Sequence, residues 1–264
     1  MTLNPKPAVL ITGASSGIGL ATAKYLVERG FQVFAGARKK DEGNITIDVT
    51  DQESVAAAAA LITAEVGARG LAGLVNNAGI AVPGPLEFVT IADFERQFDV
   101  NVTGQLRVVQ AMLPLLRKAR GRIVNISSIA GRSAFPMMGP YSASKFALEA
   151  LSDALRLELR PWGIEVALIE PGPIQSEIWT KAGNLSFSPE AEELYPKLLA
   201  AGRKALENAI RTALPADRAA ERIHHALSAA RPQTRYLIGA NTRSRIVMEH
   251  LPTRLRDWLI ARAL

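Results

Sequence analysis

Short unbroken apolar runs alternate along this chain with stretches whose apolar residues recur every three or four positions. Val9-Leu10-Ile11-Thr12 is the first run, and Ile18 to Arg29 follows with helical spacing, ending at Gly30. Phe31 to Ala35 reads as a second strand and Ile45 to Val49 as a third, before a helix through the alanine block at 56–60. Gly73-Leu74-Val75-Asn76 reads as a fourth strand. A long helix lies between Ile91 and Lys118, with Pro114 near its end and Gly121 closing it. Ile123 to Ile126 is a fifth strand, and a helix over 140–160 stops at Pro161. Glu165 to Ile169 is a sixth strand and Tyr236-Leu237-Ile238 a seventh. Strands that read as continuous apolar runs are buried on both faces. Their alternation with helices predicts an α/β fold: a Rossmann-type, doubly wound, mostly parallel sheet of about seven strands, with helices on both faces.

No linker or internal repeat interrupts this pattern, so residues 1–264 read as one domain. Residues 174–216 have no strand character and read as an inserted helical loop. Residues 8–23 are uncharged, but three glycines and two adjacent serines break them, which marks a strand and turn and not a leader. No run reaches the roughly 20 apolar residues of a spanning helix. The 264 residues contain no cysteine, which excludes disulfides, thiolate metal sites and a cysteine nucleophile, and fits a reducing cytoplasm.

The net charge of +6 changes the picture only locally. Residues 203–264 hold 12 basic and 5 acidic side chains, while the rest of the chain carries a net charge of −1. The excess is almost all arginine without interleaved aromatics, so no nucleic-acid partner is expected. At 241–264, Ile246, Val247, Leu251, Leu255, Trp258 and Leu259 recur at helical spacing, and Pro252 splits the segment in two. Packing of this basic amphipathic tail on its own domain or on a twin subunit is expected; contact with a membrane surface is the alternative.

Candidate chemistry begins where the first strand runs into Thr12-Gly13-Ala14-Ser15-Ser16-Gly17-Ile18-Gly19 and then a helix. Glycines let the backbone turn sharply and approach a pyrophosphate, which the helix N-terminus attracts. An acidic residue at the end of the second strand would bind a ribose 2′-hydroxyl. Here Ala37 takes that place and Arg38, Lys39 and Lys40 follow. A guanidinium matches a phosphate with paired hydrogen bonds, so NADP(H) is expected, through Arg38 with Lys39 as auxiliary. Asp48 at the end of the third strand is placed for the adenine amine, and Val49 for packing against the ring.

Tyr141-Ser142-Ala143-Ser144-Lys145 opens the helix after Gly139-Pro140, and residues four apart share a face. A tyrosine titrates near pH 10, and a neighbouring ammonium lowers that value. A drop of about three units takes about 4 kcal/mol. Ser128, at the end of the fifth strand, can hold a substrate oxygen beside the phenol. Ser127, beside it, competes for that role. His224, His225 and His250 lie away from these segments, and no metal is expected.

Thr12 to Gly19, Asn76-Asn77-Ala78-Gly79, Asn101, Ser128, Tyr141-x-x-x-Lys145 and Pro171-Gly172 occur together, over roughly residues 8–180. In this the chain resembles the short-chain dehydrogenase/reductase family, single-domain type. Tyr141 to Ala150 further resembles the 17β-hydroxysteroid and retinol dehydrogenase branch. The resemblance implies that Tyr141 is the general acid of reduction and base of oxidation. It also implies that Lys145 lowers the phenol's pKa and bonds the nicotinamide ribose, Ser128 positions the carbonyl, and Asn101 holds a water of a proton relay. Asn77, Ala78 and Gly79 would line the adenosine-side ribose and stabilise the sheet centre. Pro171, Gly172, Ile174 and Ser176 would lie against the nicotinamide.

The implied activity is NADP(H)-dependent hydride transfer between the nicotinamide and a carbonyl or alcohol. After Pro171-Gly172, residues Ile178, Trp179, Leu185, Phe187, Leu194, Tyr195, Leu198 and Leu199 suggest a bulky apolar substrate, with Met137 and Met138 adding lining. A steroid, retinoid, fatty or aromatic compound fits. A non-catalytic NADP(H)-binding sensor or scaffold is the alternative. A homodimer or homotetramer through the helices at 91–118 and 140–160 is expected, in the cytoplasm or peripheral to a membrane.

Overall fold

The computed structural model describes residues 6–39, 44–178, 186–239 and 242–262. Seven strands form one sheet: β1 (Ala8–Ile11), β2 (Gln32–Ala37), β3 (Ile45–Thr46), β4 (Gly73–Asn76), β5 (Arg122–Ile126), β6 (Glu165–Pro171) and β7 (Arg235–Ile238). Their spatial order is β3-β2-β1-β4-β5-β6-β7 and every pairing is parallel. The order reverses direction between β1 and β4, which opens a crevice at the carboxyl ends of the strands.

Successive side chains of a strand point to opposite faces. Leu10, Leu74, Ile123 and Val166 face one core with α2 (Gln52–Val66) and α4 (Gly104–Ala119). Val9, Ile11, Val75, Val124 and Ile169 face the other with α1 (Gly17–Glu28) and α8 (Asp217–Ser228). Both faces are therefore covered, which is why these strands lack polar alternation.

The long helix expected between Ile91 and Lys118 is two helices. α3 (Ile91–Phe98) and α4 are joined by a wide π turn over Asp99–Thr103, with Asn101 at its centre. Such one-turn bulges re-aim side chains, often at functional positions. Gly121 is not the left-handed residue that ends α4; Arg120 is, at φ +49°. Gly121 is needed because a Cβ there would stand 2.3 Å from the Leu71 carbonyl oxygen. The third strand is shorter than expected: β3 stops at Thr46, so Asp48 and Val49 sit in the following turn.

The insertion carries α6 (Pro189–Leu194) and α7 (Pro196–Thr212). Its two ends are pinned together by a parallel bridge between Ile174 and Leu214. The tail forms α9 (Thr242–Glu249) and α10 (Thr253–Ala261). α9 packs on β7, as expected of a tail folded on its own domain. α10 buries no residue, leaving Leu255, Trp258 and Leu259 exposed, so packing on the domain does not account for it. Among the described residues no helix is long and apolar enough to cross a membrane. His224 packs edge-on to Phe31, and His225 shares a 2.9 Å hydrogen bond with the Tyr236 hydroxyl, so both serve packing.

Candidate active site

A cleft of about 1470 Å³ runs along the carboxyl edge of the sheet. Gly13, Ser15, Ser16, Gly17 and Ile18 line one part, and Arg38, Lys39, Asp48 and Val49 the rim beside it. Asn77, Ala78 and Gly79 form its floor, Ser128, Tyr141 and Lys145 one wall, and Pro171, Gly172, Ile174 and Ser176 a neighbouring side.

The glycine turn is built for close approach. Gly13 and Gly17 have φ of +63° and +52°, a region that side chains with a Cβ avoid. A Cβ on Gly13 would lie 2.8 Å from Ala78 Cα, and one on Gly17 2.9 Å from Ser176 Cβ. Ser16 caps α1 in an extended conformation without a side-chain bond to the helix, so its hydroxyl is left to the cleft it lines. Gly19, like Thr12 and Ala14 of the same turn, is not on the wall. A Cβ there would stand 2.3 Å from the Gly13 carbonyl oxygen, so its role is to let the helix pack on the turn.

The floor is braced from below. Thr12 Oγ1 accepts from the backbone N–H of Asn77 at 3.0 Å and of Ala78 at 3.1 Å. Asn77 Nδ2 donates back to the carbonyls of Thr12 and Gly13. From the π turn, Asn101 Oδ1 accepts from Ile80 N at 2.9 Å, and its Nδ2 donates to Ile80 O and to Ser144 Oγ. Both ends of that buried amide thus bond to protein groups, which fixes its orientation. Gln97 repeats the clamp, accepting from Val82 N and donating to Ile80 O, both at 2.8 Å. Sequence reasoning missed Gln97, because nothing in a lone glutamine announces a loop partner 15 residues away.

The wall rests on α5 (Gly139–Glu158), whose Pro140 suits a first helical turn. Asn76 Nδ2 donates to Asn125 Oδ1 at 3.0 Å, Asn125 Nδ2 to Ser152 Oγ at 2.8 Å, and Ser152 Oγ to the Leu148 carbonyl at 2.7 Å. This buried line ties β4, β5 and α5 together. Tyr141 and Lys145 leave the same face of α5, and Nζ lies 5.7 Å from the phenol ring centroid. Nζ donates to the Ile126 carbonyl at 2.7 Å. Ser128 lies beside the Tyr141 phenol, and its Oγ donates to the Pro171 carbonyl at 3.4 Å. It also accepts from Ala130 N at 3.1 Å, while Ser127 Oγ is buried without a partner.

Burial pushes the Tyr141 phenol above its ordinary value, and Ser128 beside it only partly opposes the shift. That is the reverse of the lowering expected from a neighbouring ammonium. Burial also pushes Lys145 down to about 8, against the charge of Glu149, so the amine is still protonated at neutral pH. Burial raises Asp48, but hydrogen bonds from Thr50 and the charges of Arg38 and Arg107 outweigh it, and the carboxyl is held low. One Asp48 oxygen accepts from both the Thr50 N–H and hydroxyl, at 2.9 and 2.7 Å.

The far wall is formed by Pro83, Gly84, Pro85, Phe88 and Val89, with Ile178 and Phe187 beside them. Sequence reasoning found the last two and missed the β4–α3 segment, whose Val82-Pro83-Gly84-Pro85 was the available signal. Leu194 is exposed and Leu199 is buried in packing. Tyr195 donates to Glu87 Oε2 at 2.5 Å and meets Phe88 edge-on. Met137 and Met138 do not line the cleft; Met137 takes φ +69°, accepts from Gly84 N and lies beside Gly202. Trp179, Leu185 and Lys40 lie outside the described residues.

A phenol, a serine hydroxyl and a buried ammonium thus share one cleft with the glycine turn. The family model for short chain dehydrogenase matches residues 7–184. The chain belongs to this family. NADPH-dependent 3-dehydrocapnine reductase of Ornithobacterium rhinotracheale is 37% identical, over 94% of each chain. Retinol dehydrogenase 7 of Rattus norvegicus is 39% identical, over 96% of this chain and 87% of the relative. A short chain dehydrogenase from Burkholderia cenocepacia J2315, solved with NADP, superposes with a TM-score of 0.75 at 28% identity, covering 98% of each chain. This short-chain dehydrogenase is accordingly an oxidoreductase that uses a nicotinamide cofactor.

Proposed function

We propose that the protein transfers hydride between NADP(H) and a bulky apolar carbonyl or its alcohol, with Tyr141 handling the proton. The observation that carries this reading is the Tyr141 phenol, beside Ser128 and one helical turn from the Lys145 ammonium, on the wall of the glycine-cradled cleft. The nicotinamide supplies or receives the hydride when bound. Tyr141 Oη donates a proton to the carbonyl oxygen in reduction and removes it from the alcohol in oxidation. Ser128 Oγ holds that oxygen beside the phenol. Lys145 stabilises the phenolate by its charge; burial alone disfavours that phenolate, so the ammonium has a measurable task. Asn101 holds the water of a proton relay to Lys145, and its side chain fixes Ile80 and Ser144 of α5. Residues 1–264 are read as one catalytic domain, with 174–216 covering the substrate.

The glycine cradle admits either dinucleotide. The choice of NADP(H) is supported by Ala37, which offers no carboxylate, and by Arg38 and Lys39 on the cleft rim. Gly13, Ser15, Ser16, Gly17 and Ile18 would hold the pyrophosphate, and Asp48 and Val49 the adenine. Measured kcat/KM with NADPH should exceed that with NADH by at least about tenfold, the scale of one charge-assisted contact. Equal values refute the preference.

An apolar substrate is supported by Phe88, Val89, Ile178 and Phe187 on the far wall, and by the relatives named for retinol and dehydrocapnine. A panel of matched carbonyls tests it; preference for small sugars or polyols rejects it. Assembly into dimers or tetramers is supported by exposed Ile91 and Phe94 on α3 and Phe146 and Leu157 on α5. Light scattering should show more than a monomer, and Phe146→Glu should shift the mass downward.

A further inference from the structure

Behind Lys145 the fold buries a charge cluster that the reaction scheme above does not use. Glu149 follows Lys145 by one helical turn, so both side chains leave the same face of α5. The Glu149 side chain is 8% exposed, and its Oε2 accepts from Arg235 Nε on β7 at 3.0 Å. Its second oxygen, Oε1, is buried without a partner. The carboxylate reaches this place past a missing side chain. A Cβ on Gly131 would stand 3.1 Å from Glu149 Cγ, 3.1 Å from the Lys145 carbonyl oxygen and 2.9 Å from Ser127 Oγ. Gly131 therefore lets α5 close onto the turn after β5 and brings Glu149 beneath the cleft floor that Ser127 lines.

Each packed element contributes charge here. On α5, Lys145 precedes Glu149, and Asp153 and Arg156 follow it. From the turn after β5 comes Arg132, whose Nη1 lies 3.2 Å from Glu170 Oε1 on β6. From β7, Arg235 reaches Glu149 at 3.0 Å, Asp153 at 2.8 Å and Glu170 at 3.1 Å. Burial, joined by the charge of Glu149, drives the Glu170 carboxyl upward against Arg132 and Arg235. Arg235 thus anchors Glu149 and leaves its free oxygen inside the protein. A buried ammonium without a countercharge gives up its proton. Burial works in that direction on Lys145, and Glu149 is the charge that opposes it.

We propose that Glu149 is a positioning residue for the reaction: anchored by Arg235, its carboxylate is the countercharge that holds an ammonium at Lys145 beside Tyr141. The proposal rests on the catalytic reading of Tyr141 and Lys145.

The test is a titration of the Lys145 ¹³Cε resonance in lysine-labelled protein, assigned by its loss in Lys145→Met. Glu149→Gln keeps the side-chain shape and leaves Arg235 bonded to Asp153 and Glu170. The Lys145 midpoint should fall by about one unit in Glu149→Gln, the scale of one nearby charge. At neutral pH kcat for alcohol oxidation should fall about twofold with KM and NADP(H) affinity unmoved, and Glu149→Asp should recover part of it. An unmoved midpoint in folded Glu149→Gln overturns the proposal. Should that variant not fold, the Glu149 carboxyl ¹³C resonance of the unsubstituted protein decides. An ionised carboxylate at neutral pH supports the proposal, and a protonated one overturns it. Full activity in Tyr141→Phe would instead refute the catalytic reading, and leaves the Lys145 titration intact.

Discussion

The wall carrying Ser128, Tyr141 and Lys145 is tied into the sheet by buried hydrogen bonds, whereas the wall opposite is fastened near the surface. On the first, Asn76, Asn125 and Ser152 run a continuous line from β4 to α5, and Asn101 and Gln97 clamp the adjoining loop. On the second, Phe88 and Val89 are steadied by Tyr195, whose bond to Glu87 is exposed. Buried polar bonds are expensive to break, while exposed ones exchange readily with water. The contrast separates two demands. Proton transfer needs atoms held within tenths of an ångström, and a substrate wall needs shape.

The largest effect expected is on the chemistry of the first wall. Tyr141→Phe should lower kcat by at least about 10²-fold while NADPH affinity, read by fluorescence titration, is largely retained. Unchanged turnover would remove the distinction between the walls. Asn125→Val tests the buried line. It strands Asn76 Nδ2 and removes the donor to Ser152 Oγ, which keeps its bond to the Leu148 carbonyl, so urea unfolding should show a loss of about 2–4 kcal/mol.

Lys145→Met tests whether that wall stores a cost of function. Its folded pKa of about 8 lies below its ordinary 10.5, so burial of the ammonium opposes folding wherever the amine is charged in both states. That cost is about 3 kcal/mol at neutral pH, offset by about 1 kcal/mol for the lost bond to the Ile126 carbonyl. Lys145→Met should therefore abolish turnover and raise stability by about 2 kcal/mol at pH 7. Because the folded state sheds its proton first, wild-type stability should rise from about pH 8 to about pH 10.5, and the gain should shrink over that range. A stability gap independent of pH would contradict this account.

Tyr195→Phe should have the smallest effect. An exposed hydrogen bond contributes at most about 1 kcal/mol, so stability should barely move. KM for bulky substrates should rise no more than about fivefold with kcat unchanged. A large fall in kcat would show that the second wall also holds the reacting atoms.

Local patterns in the sequence were enough to read the parallel sheet, the glycine turn, and the pairing of Tyr141 with Lys145. Each depends on neighbours only a few residues apart: apolar runs buried on both faces, glycines at positive φ, and one helical turn between a phenol and an amine. The tertiary structure alone decided the rest, because the partners are distant in the chain. It split the expected long helix at Asn101 and turned that amide onto Ile80. It put Pro83, Gly84, Pro85, Phe88 and Val89, and not Met137, on the far wall of the cleft. It also set Arg235 against Glu149, 86 residues away. The direction of the Tyr141 shift belongs to the same class, since desolvation is a property of everything packed around a group and not of the side chains nearest to it in sequence.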